Sequence, residues 1–245
     1  MRKKIVRWTV GNATLAGKKC LKKSIKSFID CYGSDFDFYI CYNKEKPVIA
    51  DIHNVQINFY QQTKTFIFGH GAIWKYTPPR LDINSHEMWV DNDIIFVRPS
   101  NYITEFFKSN KPIICEDFIG WYGRYHHKIK PKPKINSGIF GFPPSFDFGR
   151  EILKHWNASG NYGSHWSDDE QGLTALVITN QEHMLIPKEI APTIHSKGLP
   201  NPFPHDNDRI MNFKEFKWDT EILHFVGLNR IKKHEYYSQL LTKLL

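Results

Sequence analysis

Cysteine is scarce in this 245-residue chain: Cys20, Cys31, Cys41 and Cys115 are the whole supply, and no two of them form a CxxC pair. That excludes a disulfide-framework scaffold, and four scattered thiols read as buried, reduced packing residues. Long apolar runs are missing too. The opening MRKKIVRWTV offers too short an apolar stretch for a signal h-region, and no later segment reaches the length of a membrane-spanning helix. A cytoplasmic location is expected, with peripheral contact at the inner membrane face left open. No internal repeat is present, and the twelve histidines show no HExxH-type spacing. Acidic residues are outnumbered, 25 against 33 lysines and arginines, so the formal net charge is +8. Such an excess favours an anionic partner such as nucleic acid, anionic lipid or a phosphorylated substrate.

With 41% hydrophobic and 15% aromatic residues, the chain can bury a substantial core. This excludes a disordered tail and predicts one domain over residues 1–245. KKIVRWTVGN reads as a first strand ending in a turn. CLKKSIKSFIDCY follows with Leu21, Ile25, Phe28 and Ile29 at helical spacing. DFDFYICYN and part of HNVQINFYQQ read as further strands. Pro78 and Pro79 suggest the first turn of a helix over Tyr76 to Asn84. KPIICED and NSGIFGF read as strands, and DFGREILKHWNAS and DDEQGLTALVITN as helices. Strands alternating with helices imply an α/β sheet with several parallel strands. Prolines and like charges make YGRYHHKIKPKPK, Tyr122 to Lys134, an extended surface loop. GLPNPFPHDND reads as a second loop.

The informative stretch is HEMWVDNDIIFVRP, His86 to Pro99, where Asp91 and Asp93 interrupt an apolar run. On a strand, residues two apart share a face, so both carboxylates would project into one small volume. Burial and like-charge repulsion would drive one of them to take up a proton unless a cation neutralises the pair. Hard oxygen ligands suit Mg²⁺ or Mn²⁺, which complete their shells with water and substrate phosphates. The bland alternative is a solvent-exposed Asp-Asn-Asp turn.

The pattern MWVDNDIIFVRP resembles the strand-ending DxD motif of the GT-A glycosyltransferases, in particular small bacterial and viral members. The resemblance runs along most of the chain in order, through the turn at Val10, Gly11 and Asn12, Arg80 ahead of the motif, INSGIFGF, SDDEQGL and HFVGLNR. It implies a GT-A, Rossmann-like fold: a mixed, mainly parallel sheet flanked by helices. A nucleotide-binding half over 1–98 would end in the DxD strand, and 99–245 would form the acceptor and sugar-pocket half. The implied reaction is metal-dependent transfer of a sugar from a nucleoside diphosphate donor, UDP-sugar first, to an acceptor hydroxyl. The sugar and the stereochemical course stay open.

The resemblance also implies roles. Val10, Gly11 and Asn12 would receive the base and ribose, and Arg80, on a helix, the donor sugar or phosphate. Asp91 and Asp93 would hold Mn²⁺ or Mg²⁺, with Asp91 also near the ribose. Asn136, Ser137 and Gly138 would line the sugar pocket, where a glycine lets backbone approach a ligand. Asp169, and next Glu170, would act on substrate as sugar-binding group or base. Within Asp168, Asp169 and Glu170, helix capping is the competing role. His224 would be a third metal ligand and Arg230 a phosphate contact, although the family's lysine stands one position earlier. A core histidine is the plainer reading of His224.

The acceptor expected from the basic, aromatic loop Gly120 to Lys134 is anionic: a phosphate-bearing glycan or lipid-linked oligosaccharide first, a hydroxylated base in viral DNA second. The rival readings are a two-metal nuclease or phosphotransferase and a non-enzymatic nucleic-acid-binding module. The first does not account for INSGIFGF or HFVGLNR, and the second, built on Phe118 to Lys134, leaves the paired aspartates in the apolar run unexplained.

Overall fold

The first apolar run, KIVRWTV, is a strand buried along almost its whole length (β1, Lys4–Val10), as continuous apolar strands in parallel sheets are. The computed structural model describes residues 3–11, 15–49, 52, 54–63, 73–118, 120–129, 133–157, 169–195 and 220–226. After β1 comes helix α1 (Leu15–Tyr32), which buries Leu21, Ile25, Phe28 and Ile29 as their spacing predicts. The Phe28 ring meets those of Trp8, Tyr32, Phe36, Phe38 and Phe96, which locks the helix onto the sheet.

β2 (Asp37–Tyr42) and β3 (Ile57–Gln61) extend the sheet on one side of β1, and β4 (His86–Val90) flanks it on the other. All three pairings are parallel. β5 (Ile94–Phe96) and helix α2 (Asn101–Phe106) follow the Asp-Asn-Asp turn. β6 (Ile113–Glu116), β7 (Ile135–Phe142), α3 (Phe148–Asn157), α4 (Asp169–Thr179), β8 (Met184–Ile186), β9 (Thr193–His195) and β10 (Ile222–Val226) complete the described elements. The main sheet runs β3-β2-β1-β4-β7-β6-β8, with β7 antiparallel to both neighbours. A small second sheet joins β5, β10 and β9. Four of the six main-sheet pairings are parallel, the mixed, mainly parallel α/β architecture expected.

The chain leaves β1 toward β2 and β3, then returns to the opposite side of β1 for β4. That reversal makes the carboxyl ends of β1 and β4 a topological switch point, where open α/β sheets form a ligand crevice. Trp8 pairs with Val90, so Val10, Gly11 and the Asp91 turn emerge side by side.

Three local expectations need correction. No helix covers Tyr76 to Asn84: a 3-10 turn over Ile73–Tyr76 gives way to bends. The carbonyls a helix would use are taken by side chains. Arg7 donates to the carbonyls of Lys75, Thr77 and Pro78, and Gln62 to those of Trp74, Lys75 and Thr77, while Pro78 and Pro79 supply no N–H. Second, the strand carrying the aspartates stops at Val90 and a turn holds Asn92 and Asp93. Third, the expected extended loop over Tyr122 to Lys134 contains a 3-10 turn, Gly123–Lys128, and Tyr122, Tyr125 and Ile129 are buried. Apolar packing outweighs the like charges there. GLPNPFPHDND lies outside the described residues.

Every cysteine is a free thiol, three of them buried. Burial pushes Cys20, Cys31 and Cys41 up to about 11, which keeps them protonated and inert. Among the described residues no helix is long and apolar enough to cross a membrane.

Candidate active site

Asp91 follows directly on β4, and its N–H donates to the Gly138 carbonyl on β7 at 2.8 Å. The turn closes with Ile94 N–H donating to Asp91 O at 3.3 Å. The turn, not strand alternation, brings the two carboxylates together, and its residues are half-buried rather than solvent-exposed. β10, paired with β5, supplies His224 from the facing side. Ligand atoms of Asp91, Asp93 and His224 all lie within 4.8 Å of one another, and His224 Nε2 stands 3.5 Å from Asp93 Oδ1. Two hard carboxylates and an imidazole form a chemically sensible set for a divalent cation. Burial alone would lower the His224 pKa, but its hydrogen bond to Asp93 and the charges of Asp93, Asp91 and Asp117 hold it above the ordinary value. The cluster is a sink for positive charge.

Gly138 is what admits the imidazole. A Cβ there would come 2.3 Å from His224 Cε1 and 2.6 Å from Nδ1. The glycine therefore makes room for a side chain of the cluster, a different reason from the ligand approach expected. Gly138→Ala is expected to displace His224, weaken Mn²⁺ binding at least tenfold and lower the melting temperature; calorimetric titration with thermal unfolding checks both.

Lys75, which the sequence reading passed over, sits at the centre of the site. Its Nζ lies 2.7 Å from Asp91 Oδ1 and 3.8 Å from Glu170 Oε2. Burial would lower its pKa, but Asp91 and Glu170 hold it above the ordinary lysine value, so the ammonium is charged. Tyr76 fastens this turn to α4, donating to the Glu170 carbonyl at 2.5 Å and lying 2.7 Å from Thr174 Oγ1. The available signal was a cation inside the aromatic run IWKY, the same kind of clue that Asp91 gave.

Arg80 goes elsewhere. Its guanidinium donates to the carbonyls of Asp82, Ser85, Pro143 and Phe146 and pairs with Glu87 at 3.3 Å. Glu87 also pairs with the fully buried Arg7 at 3.4 Å, and Arg7 lies 3.6 Å over the Trp89 ring. This buried trio staples residues 75–81 to β1 and β4, with Arg7 holding the Lys75 carbonyl and Arg80 holding Glu87.

The two acidic residues that open α4 separate in role. Asp169 accepts from Arg124 N–H at 2.8 Å and from Arg124 Nε at 2.6 Å, almost fully buried. It anchors the Gly123–Lys128 turn. Gly123 takes φ +49, and a Cβ there would meet Asp169 Oδ1 at 2.2 Å. Glu170 faces the cluster, accepting from Ser137 Oγ at 3.3 Å. Asp169→Ala is expected to destabilise the fold by about 3 kcal/mol, because it breaks a largely buried ion pair; urea unfolding measures it.

Asn136 accepts from Gly138 N–H at 2.6 Å and donates to Asp117 Oδ2 at 3.0 Å. Ser137 is joined to Glu170, while Val10 and Gly11 lie at the carboxyl end of β1. The Trp74 indole closes on Gly11, 2.9 Å from where a Cβ would stand. Asn12, Asp168 and Arg230 lie outside the described residues, as do Lys130 and Lys132 of the basic segment.

Neither a family model nor a curated protein sequence matches the chain. Its fold does match solved structures. The galactosyltransferase LgtC, in complex with donor and acceptor sugar analogues, superposes with a TM-score of 0.59 at 11% identity, covering 98% of this chain and 95% of that one. The apo glycosyltransferase GlyE of Streptococcus pneumoniae TIGR4 gives 0.60 at 13%, covering 99% and 63%. Mouse xyloside xylosyltransferase 1 gives 0.55 at 10%, covering 94% and 99%. The fold is that of the GT-A glycosyltransferases.

Proposed function

We propose that the chain is one catalytic domain, a metal-dependent glycosyltransferase that moves a sugar from a nucleoside diphosphate donor to an acceptor hydroxyl. The observation carrying this reading is the convergence of Asp91, Asp93 and His224 at the switch-point crevice of a GT-A sheet. A bound divalent ion supplies charge neutralisation for the departing diphosphate. Asp91, Asp93 and His224 hold it, and the imidazole tilts the choice toward Mn²⁺ over the oxygen-loving Mg²⁺.

Val10 and Gly11, with Trp74 against them, receive the base and ribose, and Asn12 and Arg230 extend that site on the strength of sequence. UDP-sugars are the donor class to test first, by the family resemblance. Asn136, Ser137 and Glu170 line the sugar pocket. Lys75 neutralises Asp91 and Glu170, which holds both carboxylates in the crevice, and offers its ammonium to the donor. Glu170, 3.8 Å from the Lys75 ammonium, orients sugar hydroxyls or takes the acceptor proton. Tyr122 and Tyr125 are buried and Arg124 pairs with Asp169; the 120–134 segment is proposed to meet the acceptor. A phosphate-bearing or lipid-linked glycan remains the acceptor proposed, ahead of DNA.

The two-metal nuclease reading loses support, because Asp169 is spent on Arg124 and only one cation-binding group of three occurs among the described residues. Incubation with Mn²⁺ and a panel of nucleotide sugars, reading released nucleotide, tests the proposal. Chelator-sensitive release with one donor is expected. Release from no donor, alongside cleavage of nucleic acid, would overturn it.

A further inference from the structure

We infer that the lysine-covered face of α1 docks the protein on an anionic phospholipid surface. The helix carries Lys18, Lys19, Lys22, Lys23 and Lys26 against one acidic residue, Asp30, a net +4 (five minus one) out of the chain's formal +8. Half the net charge of 245 residues therefore sits on 18 of them. At roughly 100° per residue the five lysines occupy an arc of about 140°, and they span about 12 Å along the axis. Cys20, Leu21, Ser24, Ile25, Ser27 and Phe28 fill the opposite side and are buried. Lys19, Lys22 and Lys26 are exposed, and Lys18 and Lys23 are half-buried. Lys26 pairs with Asp30 at 2.6 Å. Among the described residues no carboxylate pairs with the other four, so this field is not cancelled locally.

The chemistry of the face selects lipid over nucleic acid. It has no arginine for bidentate phosphate or base contacts and no exposed aromatic ring for stacking. Clustered lysines on an amphipathic helix suit a diffuse sheet of anionic headgroups. Among the described side chains of α1 no large apolar residue is exposed, so the attachment is electrostatic and reversible by salt.

The placement gives the contact a use. Asn92, between the two cluster aspartates, donates from Nδ2 to the Gly17 carbonyl at 3.3 Å, so the lysine face begins where the crevice opens. A protein lying on this face holds its crevice at the lipid surface, where a lipid-linked acceptor presents its sugar. That last step rests on the proposed reaction. The docking itself does not.

The test is co-sedimentation with phosphatidylcholine vesicles, with and without phosphatidylglycerol, using the full chain and the variant Lys18→Gln/Lys19→Gln/Lys22→Gln/Lys23→Gln, since glutamine keeps helix propensity. The parent is expected to bind only the anionic vesicles and to release at high salt. At about fivefold per lysine, the variant's affinity should fall by on the order of a hundredfold or more, with unchanged melting temperature and unchanged nucleotide release from free donor. Equal binding by parent and variant would overturn the inference. So would failure of the parent to bind anionic vesicles, or displacement of the parent from them by an equal phosphate concentration of duplex DNA. If nucleotide release fails in both proteins while vesicle binding follows the lysines, the reaction proposed above falls and the docking stands.

Discussion

Replacing Asp93 by asparagine is expected to remove metal-dependent turnover and to leave the fold in place. The amide keeps the shape but withdraws one of two carboxylates from the cluster with Asp91 and His224. Mn²⁺ affinity is expected to fall by about a hundredfold and nucleotide release by at least about 10³-fold, the range for losing a group that stabilises developing charge. Without metal the melting temperature should barely move, because relief of carboxylate repulsion offsets the weaker contact to His224. Isothermal titration with Mn²⁺, run beside donor turnover with and without chelator, reads all three quantities. Full turnover in the variant would remove Asp93 from the metal site and the metal from the mechanism.

Lys75→Met gives the opposite pattern in binding and the same direction in activity. The ammonium is the cation that neutralises Asp91 and Glu170 at 2.7 and 3.8 Å. Its loss removes the 2.7 Å ion pair to Asp91 and the nearby cation beside Glu170, which is expected to destabilise the metal-free protein by about 3 kcal/mol. Removing a positive charge a few ångströms from the cluster also strengthens Mn²⁺ binding, by roughly tenfold. Added Mn²⁺ should therefore raise the variant's melting temperature more than the parent's. Turnover should drop by about a hundredfold, since Glu170 and the donor phosphates lose their cationic partner. Unchanged Mn²⁺ affinity with lowered stability would reduce Lys75 to a structural residue. Lys75→Arg separates charge from shape: it should keep the parent's metal affinity and recover only part of the turnover, because the planar guanidinium fills the space differently.

The sequence by itself determined the strands and helices that bury apolar faces: α1 from Leu21, Ile25, Phe28 and Ile29, β1 from its unbroken apolar run, β7 from INSGIFGF. Periodicity and apolar content are local properties, so they survive without knowledge of partners. The same logic picked out Asp91 and Asp93, since a charge in an apolar run needs a partner wherever the chain folds. The ordered resemblance along the chain named His224 as their partner, while Lys75 and the contacts that bring each partner in came only from the tertiary structure. His224 is reached through the β5 and β10 pairing, Lys75 through a turn whose carbonyls Arg7 and Gln62 occupy, and Glu170 through the Tyr76 bond to α4. Those contacts link residues tens to more than a hundred positions apart, and nothing in local spacing encodes them. The expected helix over Tyr76 to Asn84 failed for that reason: long-range side chains took the carbonyls that local propensity would have used. Asp169 and Glu170 are adjacent carboxylates at one helix start, equivalent by sequence, and they part only because Arg124 reaches one while Lys75 and Ser137 face the other.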